Sequence, residues 1–345
     1  MSRILGIESS CDETAISVVE NGNSIVSNVI ASQLDIHAPH GGIVPELASR
    51  QHVMNIGPTV LKALSDANVK LKDLDAISVT NGPGLAGSLM IGVNFAKALA
   101  ASTSVPLIGI NHLEGHIYAA WLDEVDPADD IGFPLVCLIA SGGHTDLLLM
   151  EGHGQYKLLG KTRDDAAGEA FDKAARVLGL GFPGGPAIEK VAPATLSQET
   201  FPQPHFKSGN ALDFSFSGLK TAILNRAKTL GIYPPDLTNP PESLIADLAG
   251  GFQEAIVTSL VSRVSEAAKI FNAKGVILGG GVAANSLLRE RTKSNIDLPV
   301  ITPAPILCTD NGAMIAACAH HKVKSIGNLG SQLSIDIYPT WRLGI

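Results

Sequence analysis

The residues with the most pointed chemistry lie in NHLEGH, Asn111 to His116. On a helix His112 and His116 stand one turn apart on a shared face, so two imidazoles can hold one metal ion while Glu114 points elsewhere. A hydrogen-bonded pair is the bland alternative, and two ligands alone do not make a site. The candidate third donor is Asp310 in CTDNG, Cys308 to Gly312. It follows a strand and precedes a helix, so it reads equally as a helix N-cap. Its loop falls at a strand's C-terminal edge, where α/β folds collect their ligands. Two imidazoles and a carboxylate with an open position suit catalytic zinc or non-haem Fe(II). The order is not that of a HExxH metalloprotease, because the Glu of HLEGH is at the third position.

Three turns of small residues, Ser9 to Thr14, Ser141 to Thr145 and Gly279 to Asn285, suit backbone amides that face an anion. Together they suggest a nucleotide or acyl phosphate held between two lobes; singly, each is also what any tight turn looks like. Beside them stand Asp172, Gly185, Glu189 and Asn285. The two carboxylates read as mid-helix residues on a solvated surface, and Asn285 as a ribose contact or a helix cap.

The elements that must position these groups follow an α/β grammar. The chain has 345 residues, 45% hydrophobic and 17% charged, with 35 Gly and 20 Pro, which predicts two domains. Strands are expected near the N-terminus on either side of the Ser9 turn, at 24–33, 74–80, 104–110, 273–278 and 298–301, and helices over 45–66, 89–102, 161–180, 243–272 (interrupted at Gly250-Gly251) and 313–321. Leu135 to Met150 repeats the strand, small polar turn and strand of the N-terminus, which implies a duplicated lobe. The net charge of −8 and pI of about 5.7 argue against gripping nucleic acid by bulk electrostatics, so a nucleic-acid substrate would need a helper protein. Cys11, Cys137, Cys308 and Cys318 lack CxxC spacing and read as buried free thiols, consistent with a reducing cytoplasm. The N-terminus is too short and polar for a signal peptide, and no uninterrupted apolar run of about 18 residues marks a membrane span.

GIESSCDETA, VPELASRQH, NGPGLAGSL, NHLEGH, SGGHT, DDAAGEAFDK, the PGGP turn, FSFSGLKTA, GGGVAAN and CTDNGAMIA occur in the order found in one family. Over nearly its whole length the chain resembles the TsaD-type transferases that install N6-threonylcarbamoyladenosine in tRNA, formerly described as O-sialoglycoprotein endopeptidases. The resemblance implies a two-lobed, duplicated fold of the actin, sugar kinase and Hsp70 ATPase superfamily with a ligand cleft between the lobes. One lobe would span 1–130, completed by 318–345, and the other 131–317. It implies transfer of the threonylcarbamoyl group from threonylcarbamoyl-AMP to N6 of the adenosine 3′ of the anticodon, in tRNAs that read codons beginning with A. By motif, His112, His116 and Asp310 would bind one Fe(II) or Zn(II) ion. Ala140, Ser141, Gly142, Gly143, His144, Asp172, Gly185 and Asn285 would line the adenylate site, together with Glu189, which stands where many relatives have Asp. The implied partners are tRNA, an inactive TsaB-like paralogue and a small TsaE-like P-loop ATPase. A metabolite kinase of the same superfold and a non-catalytic scaffold are the rival readings; the scaffold relatives lose the histidine pair retained here.

Overall fold

The apolar run Ile4 to Ile7 and the alternation after the Ser9 turn fold as a hairpin. Strand β1 (Arg3–Glu8) runs antiparallel to β2 (Glu13–Glu20), with Ile7 opposite Ile16, and β2 pairs antiparallel with β3 (Ser24–Ser32). Helix α1 (Pro45–Asp66) leads to β4 (Ala76–Gly82), which lies parallel to β1, and helix α2 (Ala86–Thr103) leads to β5 (Leu107–Asn111), parallel to β4. Leu5, Ile7, Ile16, Ile77 and Val79 of the sheet bury against Ile56 and Val60 of α1 and Val93 and Ala96 of α2. Burial of such side chains is the main force that holds the layers together. Beyond β5 lies helix α3 (His112–Tyr118), buried on all sides.

The second sheet is built from β6 (Leu135–Ala140), β7 (Thr145–Gly152), β8 (Gln155–Lys161), β9 (Gly275–Gly279) and β10 (Val300–Ile301). Its order, β8-β7-β6-β9-β10, repeats the β3-β2-β1-β4-β5 order of the first sheet, and β9 is parallel to both β6 and β10. The duplication read from two similar stretches of sequence is therefore a duplication of topology. Its helices are α4 (Ala167–Leu178), α5 (Gly184–Val191), α6 (Ser217–Thr229), α7 (Glu242–Ile270) and α8 (Ser286–Asn295). The last helix, α9 (Gly312–Ile326), returns to the first sheet.

This computed structural model describes residues 2–122, 131–193, 197–203, 209–235, 239–327 and 332–344. Backbone proximity divides the chain into two units: Met1–Gly132 with Met150–Lys157 and Pro303–Ile345, and Phe133–Leu149 with Leu158–Thr302. Residues 303–317 fall in the first unit, whereas motif matching drew the boundary at 318. The reason is α9: a Cβ on Gly6 would lie 2.0 Å from the Gly312 carbonyl oxygen, and one on Gly312 would lie 2.6 Å from the Ser17 nitrogen. Only paired glycines let this helix start directly on the backbone of β1 and β2.

Two expectations change in detail. The helix expected from Lys161 starts at Ala167, because Lys161 ends β8 and the Thr162 hydroxyl donates to the Asp165 carbonyl in a turn (2.6 Å). The break expected at Gly250-Gly251 is absent from α7. Those glycines serve contact, since a Cβ on Gly250 would lie 2.7 Å from Pro193 Cδ and one on Gly251 2.2 Å from the Glu199 carbonyl oxygen. Among the described residues α7 is also the one helix long and apolar enough to cross a membrane, yet 61% of its most apolar window is buried within the protein.

Candidate metal centre and its surroundings

Asn111 ends β5 in an extended conformation, and its Oδ1 accepts hydrogen bonds from the Leu113 (2.9 Å) and Glu114 (3.3 Å) N–H groups. This cap starts α3 at His112, so His112 and His116 share a face, with ring centroids 4.7 Å apart and planes at 78°. Gly115 faces the other way: a Cβ there would lie 2.7 Å from Ile315 Cδ1, so the glycine lets α9 close on α3.

The same helix brings in Asp310. His116 Nε2 is 3.2 Å and His112 Nε2 is 3.6 Å from Asp310 Oδ1, and the three candidate ligand atoms lie within 4.8 Å of one another. The capping role open to Asp310 in the sequence belongs to its neighbour. Asn311 Oδ1 accepts from the Met314 N–H (2.9 Å), while its Nδ2 donates to the Leu307 and Thr309 carbonyls. Asp310 is thereby released toward the histidines.

His112 is oriented from behind. Its Nδ1 is 3.1 Å from Glu8 Oε2 and 3.2 Å from Ser10 Oγ. Glu8, fully buried at the end of β1, also accepts from the Ser10 N–H (2.6 Å) and the Thr80 hydroxyl (2.5 Å). Burial by itself raises the Glu8 pKa, but the charge and hydrogen bond of His112, with the Ser10 hydrogen bond, outweigh it and hold it below the usual carboxylate range. Burial lowers the His112 pKa, and the Glu8 and Asp310 carboxylates reverse this and push it up to about 9. A histidine whose Nδ1 is engaged by a carboxylate presents Nε2 for coordination, the usual outer-shell arrangement of metal-bound imidazole.

His116 supplies the test of fit. It is fully buried and neither ring nitrogen makes a hydrogen bond, an arrangement that native interiors seldom tolerate. A cation at Nε2 satisfies one of the two nitrogens. The donor set of two imidazoles and one carboxylate is that of zinc or non-haem iron sites with open positions. Glu114 belongs to a separate cluster on the far side of α3, with Lys322, Tyr156 and Cys318; burial raises its pKa while Lys322 opposes the shift. It is placed to hold the helix, not to serve a protease.

The nine other predicted residues all fall in the second unit. Ala140 ends β6, and a Cβ on Gly280 (φ +83°) would lie 2.4 Å from its carbonyl oxygen. In the turn that follows, the Ser141 N–H donates to the His144 carbonyl (2.8 Å) and the His144 N–H to Ser141 Oγ (3.2 Å). Gly142 and Gly143 are exposed, with open space where a side chain would be. Helix α4 starts against this turn, since a Cβ on Gly168 would lie 2.6 Å from the Ser141 carbonyl oxygen.

Asp172 and Glu189 are not the freely solvated carboxylates that the sequence suggests. Asp172 Oδ1 accepts from the Gly184 N–H (2.7 Å), tying α4 to α5, and Glu189 Oε1 accepts from the Ser286 N–H (2.8 Å) and hydroxyl (2.5 Å), tying α5 to α8. Of the two readings of Asn285, the cap is present: its Oδ1 accepts from the Leu288 N–H (3.0 Å) and its Nδ2 donates to Gln253 Oε1 (2.8 Å). Gly185 has open space around it.

Residues 24–317 match the family described as TsaD: tRNA N6-adenosine threonylcarbamoyltransferase. The tRNA N6-adenosine threonylcarbamoyltransferase of Dehalococcoides mccartyi is 51% identical over 337 residues, 98% of each chain. That of Thermomicrobium roseum is 52% identical over 350 residues, 97% of this chain and 95% of its own. The chain belongs to this family. Solved structures share the fold at low identity. HypF from T. kodakarensis superposes with a TM-score of 0.61 at 15% identity, covering 94% of this chain and 48% of that one. Component A of the Acidaminococcus fermentans (R)-2-hydroxyglutaryl-CoA dehydratase gives 0.52 at 16%, covering 94% and 100%. With the repeated strand order, these likenesses show the expected actin-like α/β fold of two mixed sheets with helices.

Sequence reasoning missed Glu8 and Ser10, the partners of His112. The signal was present: a Glu follows the apolar run Ile4 to Ile7 at the end of β1, and a fully buried carboxylate is retained only where it is paired.

Proposed function

We propose that His112, His116 and Asp310 hold one Fe(II) or Zn(II) ion at the active centre of a tRNA-modifying acyltransferase. The reaction moves the threonylcarbamoyl group from threonylcarbamoyl-AMP to N6 of adenosine 37, 3′ of the anticodon, in tRNAs that read codons beginning with A. The observation that carries the metal reading is His116, fully buried, with neither ring nitrogen in a hydrogen bond among the described residues and its Nε2 facing Asp310 Oδ1 at 3.2 Å.

In the transfer a bond forms between N6 and the carbamoyl carbon. The bond from that carbon to the phosphate oxygen breaks, AMP leaves with the electron pair, and the proton lost by N6 passes to solvent. An exocyclic adenine amine is a weak nucleophile, so orientation supplies much of the rate. The bound cation would orient and polarise the threonylcarbamoyl group. Glu8 keeps the His112 hydrogen at Nδ1 and thereby presents Nε2. Gly142 and Gly143, open and exposed, leave backbone amides free to meet the AMP phosphate and the negative charge it gains on departure. Asp172, Glu189 and Asn285 would complete the adenylate site by fixing the starts of α5 and α8, and Gly185 by leaving space for the ligand.

The chain acts in the cytoplasm with protein partners, a TsaB-like paralogue and a TsaE-like P-loop ATPase. The net charge of −8 supports this, since a tRNA substrate then needs help from elsewhere. Val53, Met54 and Leu61 of α1 and Met90 of α2 are exposed apolar side chains suited to a partner surface. The test is reconstitution with the adenylate synthase, the two partners, threonine, bicarbonate, ATP and a substrate tRNA, followed by mass spectrometry of digested nucleosides. Threonylcarbamoyladenosine that disappears with the double substitution His112→Ala, His116→Ala supports the assignment. Accumulated adenylate without modified nucleoside from the unsubstituted chain refutes it.

A further inference from the structure

VPELASRQH places His52 in α1, far in sequence from the residues used so far, and the structure buries it completely. Its Nε2 is 3.0 Å from the Cys11 carbonyl oxygen and its Nδ1 is 2.8 Å from Thr14 Oγ1. A carbonyl only accepts, so Nε2 carries the hydrogen and Nδ1 accepts from the Thr14 hydroxyl; one neutral tautomer satisfies both. Burial lowers the His52 pKa and favours that neutral form.

The segment so clamped is the Ser9 to Thr14 turn, and α2 grips it too. The Ser88 hydroxyl donates to the Cys11 carbonyl (3.2 Å), the Ser9 hydroxyl donates to the Ser88 carbonyl (3.2 Å), and the Leu85 N–H donates to the Ser10 carbonyl (2.8 Å). Between the clamped residues sits Ser10, whose N–H donates to Glu8 and whose Oγ is 3.2 Å from His112 Nδ1. Packing alone would be served by an apolar side chain at position 52; a buried imidazole with both nitrogens engaged is there for what it holds.

We infer that His52 is a positioning residue for the metal centre. By holding the Cys11 carbonyl and the Thr14 hydroxyl, it sets the turn so that Ser10 and Glu8 meet His112 Nδ1 and leave Nε2 for the cation. It touches neither substrate nor metal, and the inference rests on the metal reading above.

The test is titration of the full-length, chelator-stripped chain with Zn(II) and with Co(II), with Tm and the kinetics of the reconstituted system measured alongside. His52→Leu should bind Zn(II) on the order of tenfold more weakly, alter the Co(II) visible spectrum, and lower kcat without raising KM for tRNA. His52→Gln retains an N–H donor for the Cys11 carbonyl and should recover most of the affinity. Thr14→Val removes one of the two bonds and should show a smaller loss in the same direction. A folded His52→Leu with wild-type Zn(II) affinity, Co(II) spectrum and kcat overturns the inference. If His52→Leu does not fold, Thr14→Val decides: weakened Zn(II) binding supports the inference and unchanged binding overturns it. If the unsubstituted chain binds neither ion, the metal reading itself falls and takes this inference with it.

Discussion

Glu8→Gln is the sharpest perturbation of the proposed centre, because it keeps the side chain's shape and removes only its charge and half of its acceptor capacity. In the native site both carboxylate oxygens are used, Oε1 by the Ser10 N–H and Oε2 by the Thr80 hydroxyl and His112 Nδ1. A glutamine has one accepting oxygen. If that oxygen stays with Ser10, the new NH2 group faces His112 Nδ1, and the imidazole must move its hydrogen to Nε2, where it blocks a cation. If the oxygen turns to His112, the NH2 group opposes the Ser10 N–H in a fully buried site. Either outcome costs about 1–3 kcal/mol. Loss of an outer-shell partner typically weakens a metal site by roughly 10- to 100-fold, and at about 1.4 kcal/mol per tenfold the two estimates agree. Zn(II) affinity measured by competition with a chromophoric chelator should fall in that range while circular dichroism is unchanged. Wild-type affinity in folded Glu8→Gln protein, alongside lost binding in His112→Ala, would show that the buried carboxylate does not set the imidazole.

Other perturbations separate the centre from its scaffold. Asn311→Ala removes the cap of α9 and the two anchors that turn Asp310 away from capping; stability should drop by about 1 kcal/mol in urea unfolding, with a measurable loss of Zn(II) affinity. Gly6→Ala drives a methyl into the Gly312 carbonyl at 2.0 Å and should cost at least about 3 kcal/mol, read as a lowered Tm or insoluble protein. Glu13 carries a pH signature. Burial raises its pKa from 4.5 to about 7, against the opposing hydrogen bond from Ser32. The folded state therefore holds a proton that the unfolded chain releases, and stability falls as pH rises from 4.5 through 7. Glu13→Gln should stabilise the chelator-treated chain at pH 8 by about 1–2 kcal/mol, after a discount for partial exposure, and much less at pH 5; equal effects at both values would contradict this.

Much of the fold is legible in sequence because both hairpins announce themselves as apolar strands broken by small polar turns, and because the second repeats the first. The histidine pair is legible for a local reason: helical spacing fixes a shared face once Asn111 supplies the cap. The third donor is harder, because Asp310 and Asn311 are adjacent and either can cap a helix. Which of them does so is decided by how α9 seats on β1 through Gly6 and Gly312, a contact between residues over 300 positions apart. For the same reason the tethered states of Asp172 and Glu189 cannot be read from their own helices. Their partners, Gly184 and Ser286, matter only once α5 lies between α4 and α8. Gly250-Gly251 misleads in the opposite sense, since glycine marks a break by local propensity and a close approach by tertiary packing.

The seating of α9 on the first sheet has a consequence for how the molecule is made. The ribosome delivers β1 to β5 early, but the helix that covers Gly6 and Ser17, with Asp310 just before it, comes out about 200 residues later. Until then one face of the nascent sheet lacks its native cover and His112 and His116 lack the carboxylate that lies beside them in the folded chain, whereas most of the second unit is a nearly continuous stretch that can close as it emerges. The proposed metal centre therefore cannot be complete until the chain has been made past Asp310. A cell that exposes this chain to iron or zinc during synthesis offers the ion to a half-built pair, and a chain stalled before Pro305 carries the histidines without the carboxylate that would complete their site.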